Sequence, residues 1–210
     1  MCCNERLERL QHNDFQRFSC LKEILDAIGV FHDLGYLHGD MKLENVVYFG
    51  NEVGYKLIDF DNTAKLGTLM TKHCTAQYCP PEMAKYILGH STELRVSTAF
   101  DVWCAAVLVL HLFVKPGDMK EFINIADNDI LKTIALSDFS FQASIDAADL
   151  SDRKKKILAN CLPIDPAERG TLKDLECLLP TLTTTMKGSG LTKLYEALPN
   201  VVVNSDVVAA

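Results

Sequence analysis

The stretch Ala99 to Phe113 is apolar on nearly every side when wound as a helix. Such a helix has no polar face to turn to water, so it must be the central core element, with the rest of the chain wrapped around it. The apolar run inside it, Val102 to Val114 broken by His111, is too short to span a bilayer and reads as a buried helix. A chain built around one buried helix needs partners with a single apolar stripe. Leu21, Ile24, Leu25, Ile28, Phe31 and Leu34 supply one at spacings of three and four, and Gly35 stands where that helix would stop. Pro80-Pro81 can open another helix. Lys120 to Thr133, Arg153 to Cys161 and Leu172 to Leu179, closed by Pro180, also read as helical. Val46 to Phe49 and Tyr55 to Ile58, joined through a turn at Gly50 to Glu52, read as a hairpin. The expected fold class is mainly α with a small β-hairpin.

The chain has 210 residues and is 48% hydrophobic, enough for one domain or a large piece of one. Its net charge of −7 and pI near 5.3 disfavour nucleic acid and anionic membranes as partners. The eight cysteines include no C-x-x-C pair, and the polar, charged leader from Met1 to Arg17 is unlike a secretory signal. The thiols are therefore expected reduced, several as small core residues, without a zinc site. The expected location is intracellular, in the cytoplasm.

The polar residues gather in a few places. His38-Gly39-Asp40-Met41-Lys42-Leu43-Glu44-Asn45 precedes the hairpin, and Asp59-Phe60-Asp61 follows it. A hairpin returns the chain to its starting end, so Asp40, Lys42, Asn45 and Asp59 belong to one site. Asn45 and Asp59 offer the hard oxygens that magnesium takes. Asp40 can accept a proton from a hydroxyl, and Lys42 can neutralise charge on a phosphate.

This spacing resembles the catalytic loop and metal-binding segment of eukaryotic protein kinases, HRDxKxxN followed by DFG. The resemblance runs on through three later segments. Cys74-Thr75-Ala76-Gln77-Tyr78-Cys79-Pro80-Pro81-Glu82 looks like the end of an activation segment, GTxxYxAPE, which implies that Thr75 bonds toward Asp40 and Lys42 and helps seat a substrate Ser or Thr. Lys42, two residues after the Asp, fits the Ser/Thr-directed branch. Asp101-Val102-Trp103 looks like the start of the long central helix, whose Asp holds the catalytic-loop backbone. Leu162 to Arg169 resembles the late loop whose Arg pairs with the Glu of the APE motif, here Arg169 with Glu82. The resemblance covers roughly residues 20 to 180. It implies the C-terminal, large lobe of the kinase α+β fold, preceded by a leader helix or extension over 1–19 and followed by a tail over 181–210. It also implies a Ser/Thr kinase activity using ATP and Mg²⁺, with Asp40 and Lys42 catalytic, Lys42, Asn45 and Asp59 on the nucleotide, and a protein as substrate.

The chain departs from the family pattern at several points. There is no glycine-rich loop, strand lysine or partner glutamate before the first stripe helix, so the small lobe is expected to be absent. A bare large lobe would offer an apolar face to a small lobe or another partner. Gly39 stands where many kinases carry an Arg that contacts activation-loop phosphate, so phosphorylation of Thr63, Thr68, Thr71 or Thr75 is not expected to act by that route. Asp61 replaces the glycine of DFG, and Pro80 stands where Ala is usual. The alternative reading is a catalytically inactive, kinase-like scaffold or partner-binding module.

Overall fold

The central helix lies where its composition demands. In the computed structural model, which describes residues 13–114 and 119–180, helix α3 spans Thr98–Phe113 and nearly all of it is buried, His111 being the one partly buried residue beyond its first turn. Seven helices occur among the described residues. They are α1 (Asp14–Asp33), α2 (Pro81–Ile87), α3, α4 (Asp127–Ile134), α5 (Gln142–Ala147), α6 (Asp152–Asn160) and α7 (Leu172–Glu176), and all lie in one compact unit that ends at Leu179. None is long and apolar enough to cross a membrane. Residues 1–12 of the expected leader and the tail over 181–210, with Cys2 and Cys3, fall outside the described residues.

Helix α1 begins at an Asn13 cap, whose side chain accepts from the Gln16 amide at 3.2 Å, and so runs across position 20. It buries Leu21, Ile24, Leu25 and Ile28 of the expected stripe, with Cys20 beside them, and leaves Phe31 half-buried. Leu34 is a correction. It caps the helix rather than continuing it and is 70% exposed, because the stripe ends where the backbone turns into Gly35.

The hairpin pairs β2 (Val46–Tyr48) with β3 (Tyr55–Leu57), antiparallel, with Val46 opposite Leu57 and the Tyr48 and Tyr55 rings 4.9 Å apart. A second antiparallel pair, β1 (Tyr36–Leu37) with β4 (Ala64–Lys65), was not expected. Two-residue strands leave no alternation to read. The polar stretch 62–79 also carries local structure. It holds β4, a bridge from Leu69 to Arg95 and a 3₁₀ turn at Ala76–Tyr78.

The expected helix Lys120 to Thr133 is broken. A 3₁₀ turn at Lys120–Phe122 stops at Asn124, whose φ of 67° is left-handed, and α4 starts afresh at Asp127. Helix α5, short and weakly patterned, was missed. Its neighbourhood holds the aromatic part of the core, where Trp103 of α3 meets Phe141 at 5.7 Å and Phe141 meets Phe139 at 5.0 Å.

Candidate active site

The loop from His38 to Asn45 hangs on a single buried carboxylate. Asp101, in the first turn of α3, is fully buried and accepts from the amides of His38 at 2.8 Å and Gly39 at 3.2 Å. His32 of α1 reaches the same carboxylate at 3.1 Å. Three donors around one carboxylate compensate its loss of water. They also fasten the loop to both the first helix and the central one. His32 carried no signal in the sequence, because its partner lies 69 residues away.

Within the loop, His38 links two segments. Its Nε2 meets the Ile58 carbonyl at 3.2 Å and its Nδ1 accepts from the Asp40 amide at 3.3 Å. That pairing places the ring proton on Nε2. Burial pushes the ring below the usual histidine range, although Asp101 pulls the other way, so it sits neutral between loop and hairpin. The hydrogen bond from the Ile58 amide to the Asn45 carbonyl, 2.8 Å, closes the same junction from the other strand. Asp59 is thereby the residue next to one bonded to Asn45.

Asp40 is nearly buried and is met from three sides. Lys42 Nζ donates to Oδ2 at 2.6 Å, the Thr75 hydroxyl to Oδ1 at 2.9 Å, and Asn45 Nδ2 to the main-chain carbonyl at 2.8 Å and to Oδ2 at 3.3 Å. Lys42 also donates to the Thr75 hydroxyl at 3.2 Å. The proton order therefore runs from Lys42 through Thr75 to Asp40. Burial raises the Asp40 carboxyl, but the bonds from Lys42 and Thr75 and the charge of Lys42 together outweigh it and hold it below the ordinary carboxylate value. It is ionised at neutral pH and can take a hydrogen bond from a hydroxyl.

Asn45 uses its side-chain nitrogen on Asp40, and its side-chain Oδ1 has no hydrogen bond among the described residues. Asp59 is exposed on the neighbouring strand end, and its carboxylate is likewise unengaged there. One amide oxygen and one open carboxylate fit a magnesium ion that keeps water and phosphate as its other ligands. Among the described residues no group of three His, Cys, Asp or Glu is placed to hold a metal.

The backbone strain falls on Asp59 rather than Asp61. Asp59 has φ 65°, while Asp61 is not among the residues with positive φ. A left-handed aspartate persists only where its surroundings impose it. Here the imposing contacts are the Ile58 bonds on one side and Phe60 on the other, stacked on Phe31 at 5.4 Å and edge-on to His38 at 5.6 Å. Gly39 also has positive φ, 84°, and a Cβ there would run into the Asn62 carbonyl. The glycine is required by this backbone, and an arginine would not fit without moving the segment after Asp59.

Glu82 and Arg169 form a second cluster, which no hydrogen bond joins to Asp40 among the described residues. Arg169 binds Glu82 in a fork at 2.7 and 2.5 Å, donates to the carbonyls of Pro163, Ile164 and Ala99, and lies 4.8 Å from the Trp103 ring centre. Tyr78 ties the 3₁₀ turn Ala76–Tyr78 to the loop, its hydroxyl accepting from the Leu43 amide at 3.3 Å. Its place in the Cys74 to Glu82 segment could have suggested that, but nothing in the sequence named the partner.

A family model for the protein kinase domain matches residues 3–177. Calcium/calmodulin-dependent protein kinase type 1 of Caenorhabditis elegans is 25% identical over 158 residues, covering 73% of this chain and 42% of that protein. Serine/threonine-protein kinase Kist of Homo sapiens is 28% identical over 161 residues, 71% of this chain and 37% of its own length. CaM kinase-like vesicle-associated protein of Danio rerio is 23% identical over 177 residues, 80% of this chain and 38% of its own. The chain thus spans about two fifths of the length of the curated relatives it matches.

Proposed function

The chain belongs to the protein kinase family, and we propose that it supplies the substrate-facing and metal-facing half of a Ser/Thr kinase site, in a C-terminal lobe over residues 20–180. The observation that carries this reading is the hydrogen-bonded set Lys42, Thr75 and Asp40. An ionised carboxylate, a cation and a hydroxyl on one small surface are what a substrate Ser or Thr hydroxyl and a transferring phosphoryl group need. Asp40 orients the hydroxyl and accepts its proton. Lys42 balances charge on the phosphoryl oxygens. Thr75 holds both in register and borders the incoming residue. Asn45 and Asp59 would hold Mg²⁺ with ATP, whose bound metal neutralises the phosphates. Asp101, Glu82 and Arg169 keep the frame in place.

The half-exposed Phe60 and the exposed Val30, Leu34 and Phe49 would be covered by a small lobe carried on the same polypeptide or by a partner. A second reading is favoured by Asp61, a further exposed carboxylate beside Asp59, whose charge would repel ATP phosphates unless it assists the metal. Under it the chain is a kinase-like binding module without transfer.

Nucleotide binding and transfer separate the two. Calorimetry with ATP, with and without Mg²⁺, should show weak binding that needs the metal and is lost in Asp59→Ala but kept in Asp40→Ala. Phosphate transfer by the native protein recovered from its source should vanish in Asp40→Ala. Binding indifferent to Mg²⁺ and to Asp59, or transfer unchanged without Asp40, would overturn the kinase reading.

A further inference from the structure

One cation near the site is held by a ring instead of an acid. Lys72 is exposed, and its Nζ lies 4.8 Å from the centre of the Tyr86 ring on α2. Among the described residues it makes no ion pair, whereas Arg169 is forked to Glu82 and Arg95 lies 3.9 Å from Glu93. An aromatic face orients an ammonium through its quadrupole but does not cancel the charge. The three N–H donors of an ammonium held this way keep their capacity for an oxygen ligand.

The backbone fixes where that charge sits. On one side Met70 is buried and its amide donates to the Leu94 carbonyl at 2.8 Å. The His73 amide then donates to the Thr71 carbonyl at 2.9 Å, a tight turn with Lys72 at its apex. On the other side the Thr75 hydroxyl donates to Asp40 at 2.9 Å and accepts from Lys42 at 3.2 Å. Tyr86 itself packs against the core. Lys72 stands three residues before Thr75, and three residues of extended chain span at most about 11 Å. A peptide whose hydroxyl meets Asp40 has its own neighbouring residues within the same reach.

We infer that Lys72 is a specificity-determining residue, which pairs with a carboxylate side chain, Asp or Glu, within three residues of the acceptor Ser or Thr of a protein substrate. The place of that acceptor rests on the kinase reading of Asp40 and Thr75. Charge elsewhere around the site acts in the same direction. Asp59 and Asp61 are both exposed on the metal side and repel a carboxylate, and the whole chain carries −7. An acidic segment is thus turned away from the metal side and toward Lys72. Because the ring already orders the lysine, less rotamer freedom is lost when the carboxylate arrives.

The test is fluorescence anisotropy of the full chain with labelled synthetic peptides. Each has a single central Ser in an Ala and Gly background. One set carries Glu, Gln or Lys at the three positions before the Ser, and a second set carries them after it. In one of the two sets the Glu peptide should bind about 2–5-fold more tightly than the Gln peptide, the range of an exposed ion pair, and added salt should shrink the gap. Lys72→Gln should bring the two together, and Lys72→Glu should turn the preference to the Lys peptide. Lys72 is exposed, so both variants should keep the wild-type melting temperature. Tyr86→Leu keeps the charge but removes the ring, and should narrow the gap; an unchanged gap there would overturn the ring's part. Equal binding of the Glu and Gln peptides in both sets, no binding by any peptide, or a preference untouched in Lys72→Glu would overturn the assignment. Phosphate transfer to the same peptides by the native protein separates this from the kinase reading. Transfer that ignores the flanking charge would sink the role of Lys72 alone, and charge-selective binding without transfer that depends on Asp40 would sink the kinase reading alone.

Discussion

Arg169 and Asp40 each hold a charge out of water, but their surroundings differ in one respect. Arg169 has five N–H donors, and all five are engaged, two on Glu82 and three on main-chain carbonyls. Nothing is left over for a ligand. Asp40 accepts three side-chain hydrogen bonds out of about four that a carboxylate can take. Lys42 has donated two of its three, and Asn45 and Asp59 keep oxygens unengaged. The saturated cluster is a tie, and the unsaturated one keeps hydrogen-bonding capacity for a ligand. Burial alone does not distinguish them, since both charges are nearly inaccessible.

The largest expected effect falls on the tie. Arg169→Ala leaves Glu82 unpaired and three carbonyls short of a donor, and should cost about 3–5 kcal/mol in urea unfolding. Arg169→Lys should recover only a small part, because an ammonium cannot reproduce the fork or lie on Trp103. A loss below about 1 kcal/mol would mean that surrounding water replaces the tie, which is the behaviour of an exposed pair, and the contrast with Asp40 would fail.

Next comes acid, which acts from behind the site. His111 packs 4.8 Å from the Tyr78 ring, and burial pushes it down to about 4. Its folded value lies below the unfolded one near 6.5, so the unfolded chain binds the extra proton and stability falls as pH drops from about 6.5 to about 4. The buried His38 acts in the same direction. For His111 the loss is on the order of 2–3 kcal/mol. Unfolding measured across that window should steepen toward acid in the wild type and flatten in His111→Leu. An identical slope in both would place the acid sensitivity elsewhere.

The smallest effect has the opposite sign. Asp59 holds a left-handed backbone that glycine adopts without strain. Asp59→Gly should therefore raise stability by about 1 kcal/mol while removing Mg²⁺-dependent nucleotide binding. Thermal unfolding and calorimetry on one variant read both. A variant that is less stable would show that Asp59 is part of the frame and belongs with Arg169.

Much of this was legible in the chain itself. An all-apolar segment has one place to go, so the central helix was readable from Ala99 to Phe113. The α1 stripe, the hairpin and the mainly helical class followed from periodicity, and the spacing of Asp40, Lys42, Asn45 and Asp59 pointed to the family that the matched domain shows. The elements that escaped were those whose pattern is shorter than one period, such as β1 with β4 and helix α5, or those broken by a single residue, as at Asn124.

What the sequence determined by itself was local, namely which segments are apolar, how often they repeat, and which polar residues share a loop. Tertiary structure alone decided which charges become saturated. The bonds from His32 to Asp101 and from Leu43 to Tyr78 join residues 69 and 35 positions apart, and no local pattern encodes such a distance. It decided the strain as well. Glycine is usual at the position of Asp61, yet the packing of Ile58 and Phe60 sets the left-handed backbone on Asp59. The reason is that a backbone angle at a loop is fixed by what holds its two ends, and those contacts exist only once the chain has folded.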